Sequence, residues 1–226
     1  MKRKRSLLLL ICYGFLATLA VFYGLLEMQS LFVTFLSFHL LVCLGIPLLH
    51  ALWEGELRTR WRLAWETFDK SGMAYGVLLG VFLFTAIVAG MWLLLHHGVQ
   101  EERIRFTLER WGLTSAWIGW FALYTVIVNS LLEELLWRGF VLQRLLRGVR
   151  RPTAIIVSSF FFALYHLIVG VVLFGLQWGI AVTALVFGAG VLWAWLKGCF
   201  PSAYPTWISH LLADLGLMVV LVVWIF

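Results

Sequence analysis

The sequence contains few charged residues, few prolines and few cysteines. Charged residues make up only 12% of the 226 positions and prolines number four, whereas about a quarter of the residues in a soluble domain are charged. Hydrophobic residues account for 63%, and they form runs of about 20, enough to cross the roughly 30 Å hydrocarbon core of a bilayer. This composition excludes an ordinary soluble domain and predicts an all-α, polytopic transmembrane helical bundle.

The positions of the cysteines and the absence of common catalytic motifs argue against disulfides, a zinc framework and the common types of hydrolase site. Cys12, Cys43 and Cys199 have no paired spacing and lie in or beside apolar runs. We therefore expect packing residues rather than disulfides or a zinc framework. The sequence also lacks His-Glu-x-x-His, His-x-x-Glu-His and Gly-x-Ser-x-Gly, which are common templates of metal-dependent and serine hydrolases.

The apolar runs predict about seven membrane spans in one integral membrane domain. Their expected ranges are about 6–26, 31–53, 73–95, 116–142 and 152–174, then a sixth span ending near 197 and a seventh from about 206. Between spans 2 and 3, Leu57, Trp61, Trp65 and Phe68 follow helical spacing. This spacing predicts an amphipathic helix that lies in the membrane interface. Residues 96–115 carry balanced charges and predict a loop.

The basic residues predict the orientation. Of the 17 Lys and Arg residues, 13 fall in segments that seven spans place on the same side as the N-terminus. The positive-inside rule makes that side cytoplasmic, and the short single-domain chain favours the bacterial inner membrane. The basic start, residues 2–5, leads into an apolar run without a small-x-small cleavage site, which favours a retained span over a signal peptide. Because the basic clusters are short and lie between spans, we expect no nucleic-acid partner.

Three ionisable residues lie within the fourth span. These residues are Glu133, Glu134 and Arg138. Inserting one charged side chain at the centre of a membrane costs roughly 2.5–3.5 kcal/mol of free energy on insertion scales, so the presence of three points to a function. Glu134 and Arg138 are four residues apart and share a helix face, which predicts an ion pair. Glu133 is rotated by about 100° and has Trp137 four residues later. Glu133 is therefore the carboxylate that remains available for chemistry.

Two later spans carry further polar residues at a similar depth. His166 follows Phe162 by one turn on the fifth span, and His210 precedes Asp214 by one turn on the seventh. Counting 1.5 Å per residue places these groups and Glu133 in the middle or the cytoplasmic half, so we expect one cavity entered mainly from the cytoplasmic side. A glutamate and two histidines there can activate water and stabilise a developing negative charge. We expect the lone His39 of the second span to be a packing or interfacial residue.

The motifs together resemble those of the CPBP family (CaaX protease and bacteriocin-processing, also called ABI). This family includes the type II CaaX prenyl endopeptidases and bacteriocin-processing or self-immunity proteins. The resemblance divides the single domain, residues 1–226, into variable N-terminal spans (1–114) and a CPBP-like catalytic core (115–226). It rests on three motifs in order on separate spans: Glu133-Glu134-x-x-x-Arg138, Phe162-x-x-x-His166 and His210-x-x-x-Asp214.

The resemblance implies an intramembrane endopeptidase of the glutamic type. Glu133 with His166 would activate the water, and His210 with the residue at 214 would hold the oxyanion. Glu134, Arg138 and Phe162 would support the site. The prenyl endopeptidases have asparagine at the last position, whereas this chain has Asp214. Because an ionised aspartate cannot donate a hydrogen bond, Asp214 would have to be protonated or would serve to orient His210.

Three alternatives remain open from the sequence. A zinc protease could use Glu133, His166, His210 and Asp214 as ligands. A transporter also uses intramembrane acids and histidines, although no inverted repeat or broken helix pair supports it. An immunity or scaffold protein would keep the site without turnover. We prefer a protease without a cofactor whose partners are membrane lipids and a membrane-associated, C-terminally tagged or lipidated protein or peptide.

Overall fold

The structure, a computed structural model, describes residues 2–55, 68–200 and 202–226. Within these ranges the chain is helical and contains no strand, and seven helices are long and apolar enough to cross a membrane. These findings confirm the polytopic helical bundle. Together with one short helix, the helices are numbered in chain order: α1 Leu7–Glu27, α2 Leu31–Trp53, α3 Lys70–His96, α4 Glu101–Arg110, α5 Ile118–Gly148, α6 Arg151–Phe174, α7 Leu176–Cys199 and α8 Tyr204–Ile225.

The observed ends of the spans differ from the predicted ones where capping or charge decides them. Helix α3 begins earlier than expected because the Asp69 side chain accepts a hydrogen bond from the Ser71 backbone N–H at 3.0 Å, as an N-cap does. Helix α5 continues past Leu142 to Gly148, since arginines at a helix end do not interrupt it. The predicted interfacial helix falls mainly on residues 56–67, which lie outside the described residues.

Residues 96–115 contain a helix where the sequence predicted a loop. Helix α4 places Glu101 in its first turn and Arg110 in its last, so that both charges complement the helix dipole. Its buried residues, Ile104 and Leu108, are four apart on one face. On its other side, the Arg103 Nη2 donates to the Val172 carbonyl of α6 at 3.3 Å. The helix is therefore packed against the bundle.

Helix α5 is not a regular α-helix. Two π-helical stretches, Thr125–Asn129 and Leu135–Val141, flank a short α-helical segment, Ser130–Glu134. A π-helix widens the turn and changes which residues share a face, and such stretches are frequent at functional sites. The segment between them carries both glutamates.

Apolar side chains cover the outside of the bundle, and polar side chains lie within it. Large exposed residues include Phe32 at 69%, Trp120 at 68% and Leu185 at 72% exposure. Conversely, Glu133 and Arg138 are among the buried charged residues. A surface of this kind needs contact with hydrocarbon rather than water. This agrees with the length and hydropathy of the seven spans.

Helix α8 is held against α3 by close backbone approach. Gly76 of α3 faces the backbone of Pro205, and Gly80 faces Ser209 and Leu212 of α8. A Cβ at either glycine would lie closer than real Cβ atoms do to these neighbours. Small residues at such a contact let transmembrane helices approach closely. This packing fixes the helix that carries His210 and Asp214.

Candidate active site

The Glu134–Arg138 ion pair lies at the centre of the bundle. The Glu134 Oε1 is 3.1 Å from the Arg138 Nη1, which confirms the predicted pairing. Arg138 is 2% exposed, and its guanidinium lies over the Phe162 ring at 4.5 Å and the Trp193 ring at 5.0 Å. These aromatic faces add cation–π stabilisation in a dry environment. Phe162, predicted as a supporting residue, thus contacts the arginine directly.

His210 bridges the two glutamates. Its Nδ1 is 3.0 Å from the Glu134 Oε1, while its Nε2 is 3.5 Å from the Glu133 Oε2 and 3.7 Å from the Asp214 Oδ1. The ring stacks on Trp193, with 4.2 Å between centroids. His210 is 3% exposed. A carboxylate therefore lies near each ring nitrogen, and the ring is sealed from the surface.

His166 has a defined tautomer when it is neutral. Its Nδ1 lies 2.8 Å from the Phe162 carbonyl oxygen, which can only accept, so Nδ1–H donates and Nε2 keeps its lone pair. His166 is partly accessible. Among the described residues, no hydrogen bond or ion pair joins His166 to Glu133. The two residues meet instead across a shared cavity.

That cavity has a volume of about 240 Å³, which is room for several water molecules. Its walls are mainly apolar, and its polar lining includes three of the predicted site residues. The polar and titratable lining residues used below are Glu133, His166, Asp214, Asn129, His39 and Tyr165. His210 and Glu134 lie behind this wall rather than in it. The structure thus divides the predicted site into groups that face the cavity and groups that support them.

The cavity extends toward the end of the bundle that carries α4. Its lining reaches Leu25 near the end of α1, Trp111 after α4, Phe174 at the end of α6 and Ile225 at the end of α8. The arginines of residues 144–151 lie at the opposite end. The described lining therefore lies on the α4 side of Glu133, whereas the expected entry from the basic side stays a prediction. Counting residues gave depth along each span, but it gave no information on where the helices separate.

A hydrogen-bonded chain links three spans beside the cavity. The Asn129 Nδ2 donates to the Asp214 Oδ2 at 3.0 Å, and the Asn129 Oδ1 lies 2.9 Å from the His39 Nε2. The His39 Nδ1 is in turn 2.8 Å from the Tyr124 hydroxyl. His39 is 2% exposed and hydrogen-bonded at both ring nitrogens. It therefore makes specific polar contacts, whereas the sequence predicted only a packing or interfacial residue.

Sequence reasoning assigned no role to Asn129 and Tyr165. Asn129 stands four residues before Glu133 on the same helix, a spacing that could have identified it. Tyr165 directly precedes His166 and buries its hydroxyl near the Glu133 carboxylate. That hydroxyl has no aligned hydrogen-bond partner in the part of the chain described. Both residues add hydrogen-bond donors around Glu133.

Three of the four candidate zinc ligands, Glu133, His210 and Asp214, lie close to one another. Within the described residues, no group of three or more His, Cys, Asp and Glu side chains is arranged to hold a metal. His210 lies 3.5 Å from Glu133 and 3.7 Å from Asp214, and His166 bonds its own helix. A carboxylate and an imidazole lone pair at one cavity can bind and deprotonate water.

Part of the second half of the chain matches a known protein family. Residues 115–216 match the model of a family described as type II CAAX prenyl endopeptidase Rce1-like. The matched part runs from before α5 into α8 and contains all seven predicted site residues. This match confirms the resemblance that the three motifs indicated. A search of the curated proteins and a search of the solved structures each found no match.

Proposed function

Because residues 115–216 match the model of the Rce1-like family of type II CAAX prenyl endopeptidases, we propose that this chain is a membrane protease with a glutamic-type mechanism. Glu133 is the general base, and His166 holds the same water. The observation that carries this assignment is the shared cavity of Glu133 and His166, since the Nδ1 contact of His166 with the Phe162 carbonyl leaves the Nε2 lone pair to accept a hydrogen bond. The water donates one hydrogen bond to each group, and Glu133 accepts the proton as the oxygen attacks the peptide carbonyl.

The groups behind the cavity wall position the base. His210 contacts the Glu133 carboxylate, and Glu134 with Arg138 holds the other side of the His210 ring. Trp193 covers the face of that ring. A base that is held by such partners needs little reorganisation when the reaction occurs. Glu134, Arg138 and Phe162 are thus supporting residues.

The substrate that we propose is a membrane-associated or lipidated protein, cut near its membrane-bound end. The family description names CAAX tails, and C-terminal sorting tails or leader peptides share the same combination of an extended peptide and an apolar anchor. Apolar residues such as Val169 and Leu217 line most of the cavity. Such walls favour an extended apolar segment over a charged one.

The test compares membrane-protein fragments in cells that make the wild type or the Glu133→Gln variant at equal levels. A peptide end that is present with the wild type and absent with the variant supports proteolysis and identifies the substrate and the cut site. Identical fragments in the two samples would contradict the proposal and favour a carrier or a non-catalytic immunity or scaffold protein.

We further propose that the reaction uses no metal. Purified protein is expected to contain less than one zinc per ten chains, and a chelator is expected to leave the cleavage rate within about twofold. The measurement is elemental analysis beside a rate assay with a quenched peptide that spans the cut site. One zinc per chain, lost together with activity on chelation, would show the zinc alternative instead.

The positive-inside rule predicts that the α4 end of the bundle is extracytoplasmic in a bacterial inner membrane. In a variant without Cys12, Cys43 and Cys199, we expect Glu102→Cys on the exposed face of α4 to react with a membrane-impermeant maleimide in intact spheroplasts. Arg147→Cys, at the other end, should react only after permeabilisation. The reverse labelling would show the opposite orientation.

A further inference from the structure

We propose that Asn129 is a catalytic residue that stabilises the oxyanion, and that His39 is a positioning residue that orients it. The assignment rests on the proposed peptidase function. It differs from the roles that the motif resemblance implies, in which His210 and the residue at 214 hold the oxyanion. The structure makes both of these residues unsuitable for that role.

Neither His210 nor Asp214 has a donor available to a substrate. His210 directs both ring nitrogens toward carboxylates, at 3.0 Å for Nδ1 and 3.5 Å for Nε2, and it is only 3% exposed. Asp214 does line the cavity. However, its Oδ2 accepts a hydrogen bond from Asn129, which is the arrangement of a carboxylate acceptor, and an ionised carboxylate cannot donate.

Asn129 supplies the donor that position 214 lacks. Its side-chain amide nitrogen carries two hydrogens, and the contact with the Asp214 Oδ2 at 3.0 Å uses one of them. Asn129 is partly accessible and lines the same cavity as Glu133. Side chains four apart on a helix have Cβ atoms about 5–6 Å apart. A peptide carbonyl can therefore receive water from the Glu133 side while its oxygen approaches Asn129.

His39 fixes which end of the Asn129 amide faces Asp214. The His39 Nε2 lies 2.9 Å from the Asn129 Oδ1, a contact in which only the histidine can donate. The Tyr124 hydroxyl, 2.8 Å from the His39 Nδ1, donates to that nitrogen and so fixes the tautomer. A flipped amide would place its NH₂ against the His39 N–H and its oxygen against Asp214. The chain of contacts therefore holds the donor in place before the substrate arrives.

Tyr165 is a second neutral donor near Glu133, and it is less suited than Asn129. Tyr165 is 3% exposed, and its hydroxyl is buried against the Glu133 carboxylate. Although Tyr165 lines the cavity, its ring is packed against Trp137 and Phe38 and its hydroxyl oxygen is buried. Tyr165 therefore orients the base, and Asn129 faces the carbonyl oxygen.

The step balances without any added reactant. Water oxygen bonds to the carbonyl carbon, one water proton moves to Glu133, and the π electrons of the carbonyl move onto its oxygen, which Asn129 N–H stabilises. Collapse of this intermediate re-forms the carbonyl and breaks the C–N bond. As that bond breaks, Glu133 gives its proton to the leaving nitrogen, so the products are a carboxyl terminus and an amino terminus.

The test measures kcat and KM separately for a quenched peptide that spans the cut site found in cells. Asn129→Ala is expected to lower kcat by about 10²–10³-fold, the loss typical of one oxyanion donor, with KM changed by less than about threefold. His39→Phe should lower kcat about tenfold. Gln177→Ala is the matched control, because it removes a carboxamide from an exposed position near the start of α7, and it should leave kcat unchanged.

A second variant separates catalysis from folding. Adding Asp214→Asn to Asn129→Ala places an amide at position 214, where the prenyl endopeptidases have one, and should restore kcat at least tenfold. Asn129→Ala with kcat within threefold of the wild type overturns the assignment, as does a kcat loss that Asp214→Asn leaves unrestored. A wild type that cleaves no peptide overturns the proposed function and this assignment together, whereas an active wild type with an active Asn129→Ala overturns the assignment alone.

Discussion

Glu133→Gln is expected to lower kcat by about 10³–10⁴-fold, near the upper end of what a general base contributes. The substitution keeps the shape of the side chain and removes the group that takes the proton from water. The remaining contacts of His210, with Glu134 at 3.0 Å and Asp214 at 3.7 Å, stay in place. Thermal unfolding in detergent should therefore resemble that of the wild type, and the loss should appear in turnover alone.

The matched control for this variant is Glu102→Gln, which makes the same chemical change on the exposed face of α4. It should leave kcat within about twofold. The measurement is the rate of cleavage of the quenched peptide by purified protein at saturating concentration. Glu133→Gln with more than about a tenth of wild-type turnover would contradict a glutamic mechanism.

Arg138→Ala is expected to lower the free energy of unfolding by about 3–5 kcal/mol, the usual cost of removing one partner from a buried ion pair. Glu134 would be left as an uncompensated charge at the centre of the bundle, where both side chains are 2% exposed. The substitution also removes the cation–π contacts of the Arg138 guanidinium with Phe162 and Trp193. Reversible unfolding in mixed micelles measures the change.

A double variant distinguishes loss of charge balance from loss of packing. Glu134→Gln with Arg138→Met replaces the pair by uncharged side chains of similar size, a change that is often neutral or stabilising for a buried pair. We expect most of the stability to return, while turnover stays low because His210 loses the carboxylate at its Nδ1. Equal stability of Arg138→Ala and the wild type would show that the pair is not a structural centre.

Contacts within one helix could be predicted, because helical spacing decides them. Glu134 and Arg138 lie on one face, and the structure places their charged atoms 3.1 Å apart. His210 and Asp214 likewise face each other at 3.7 Å. The seven spans could also be predicted, because the length and hydropathy of each apolar run depend on local sequence alone. The match to the Rce1-like family confirms the resemblance that these motifs indicated by their order.

Contacts between helices could not be predicted in this way. His39 and Asn129 are 90 residues apart, and a period of 3.6 residues gives the face of each helix but not its neighbour. Helix α4 was not predicted because residues 96–115 contain many charged residues, although Ile104 and Leu108 within them have helical spacing. Gly112, with φ +93°, follows as a residue suited to a helix end. That signal was present in the sequence.

The N-terminal spans support the site more directly than their expected variable role suggests. Helix α2 provides His39, which contacts Asn129 of α5. Helix α3 packs its glycines on α8. Both helices lie outside residues 115–216, which match the family model. The division at residue 114 remains a prediction about sequence variation, whereas the candidate site residues have contacts from both sides of it.

The glycine contact between α3 and α8 also decides when during synthesis the site can form. About 100 residues separate the end of α3 from the start of α8, and a ribosome takes about 5–20 s to add them. During that time the glycine face of α3 is covered by lipid or by the insertion machinery. His210 reaches Glu133 only after α8 has entered the membrane. If the proposed site is correct, a nascent chain would therefore be inactive until this helix is made.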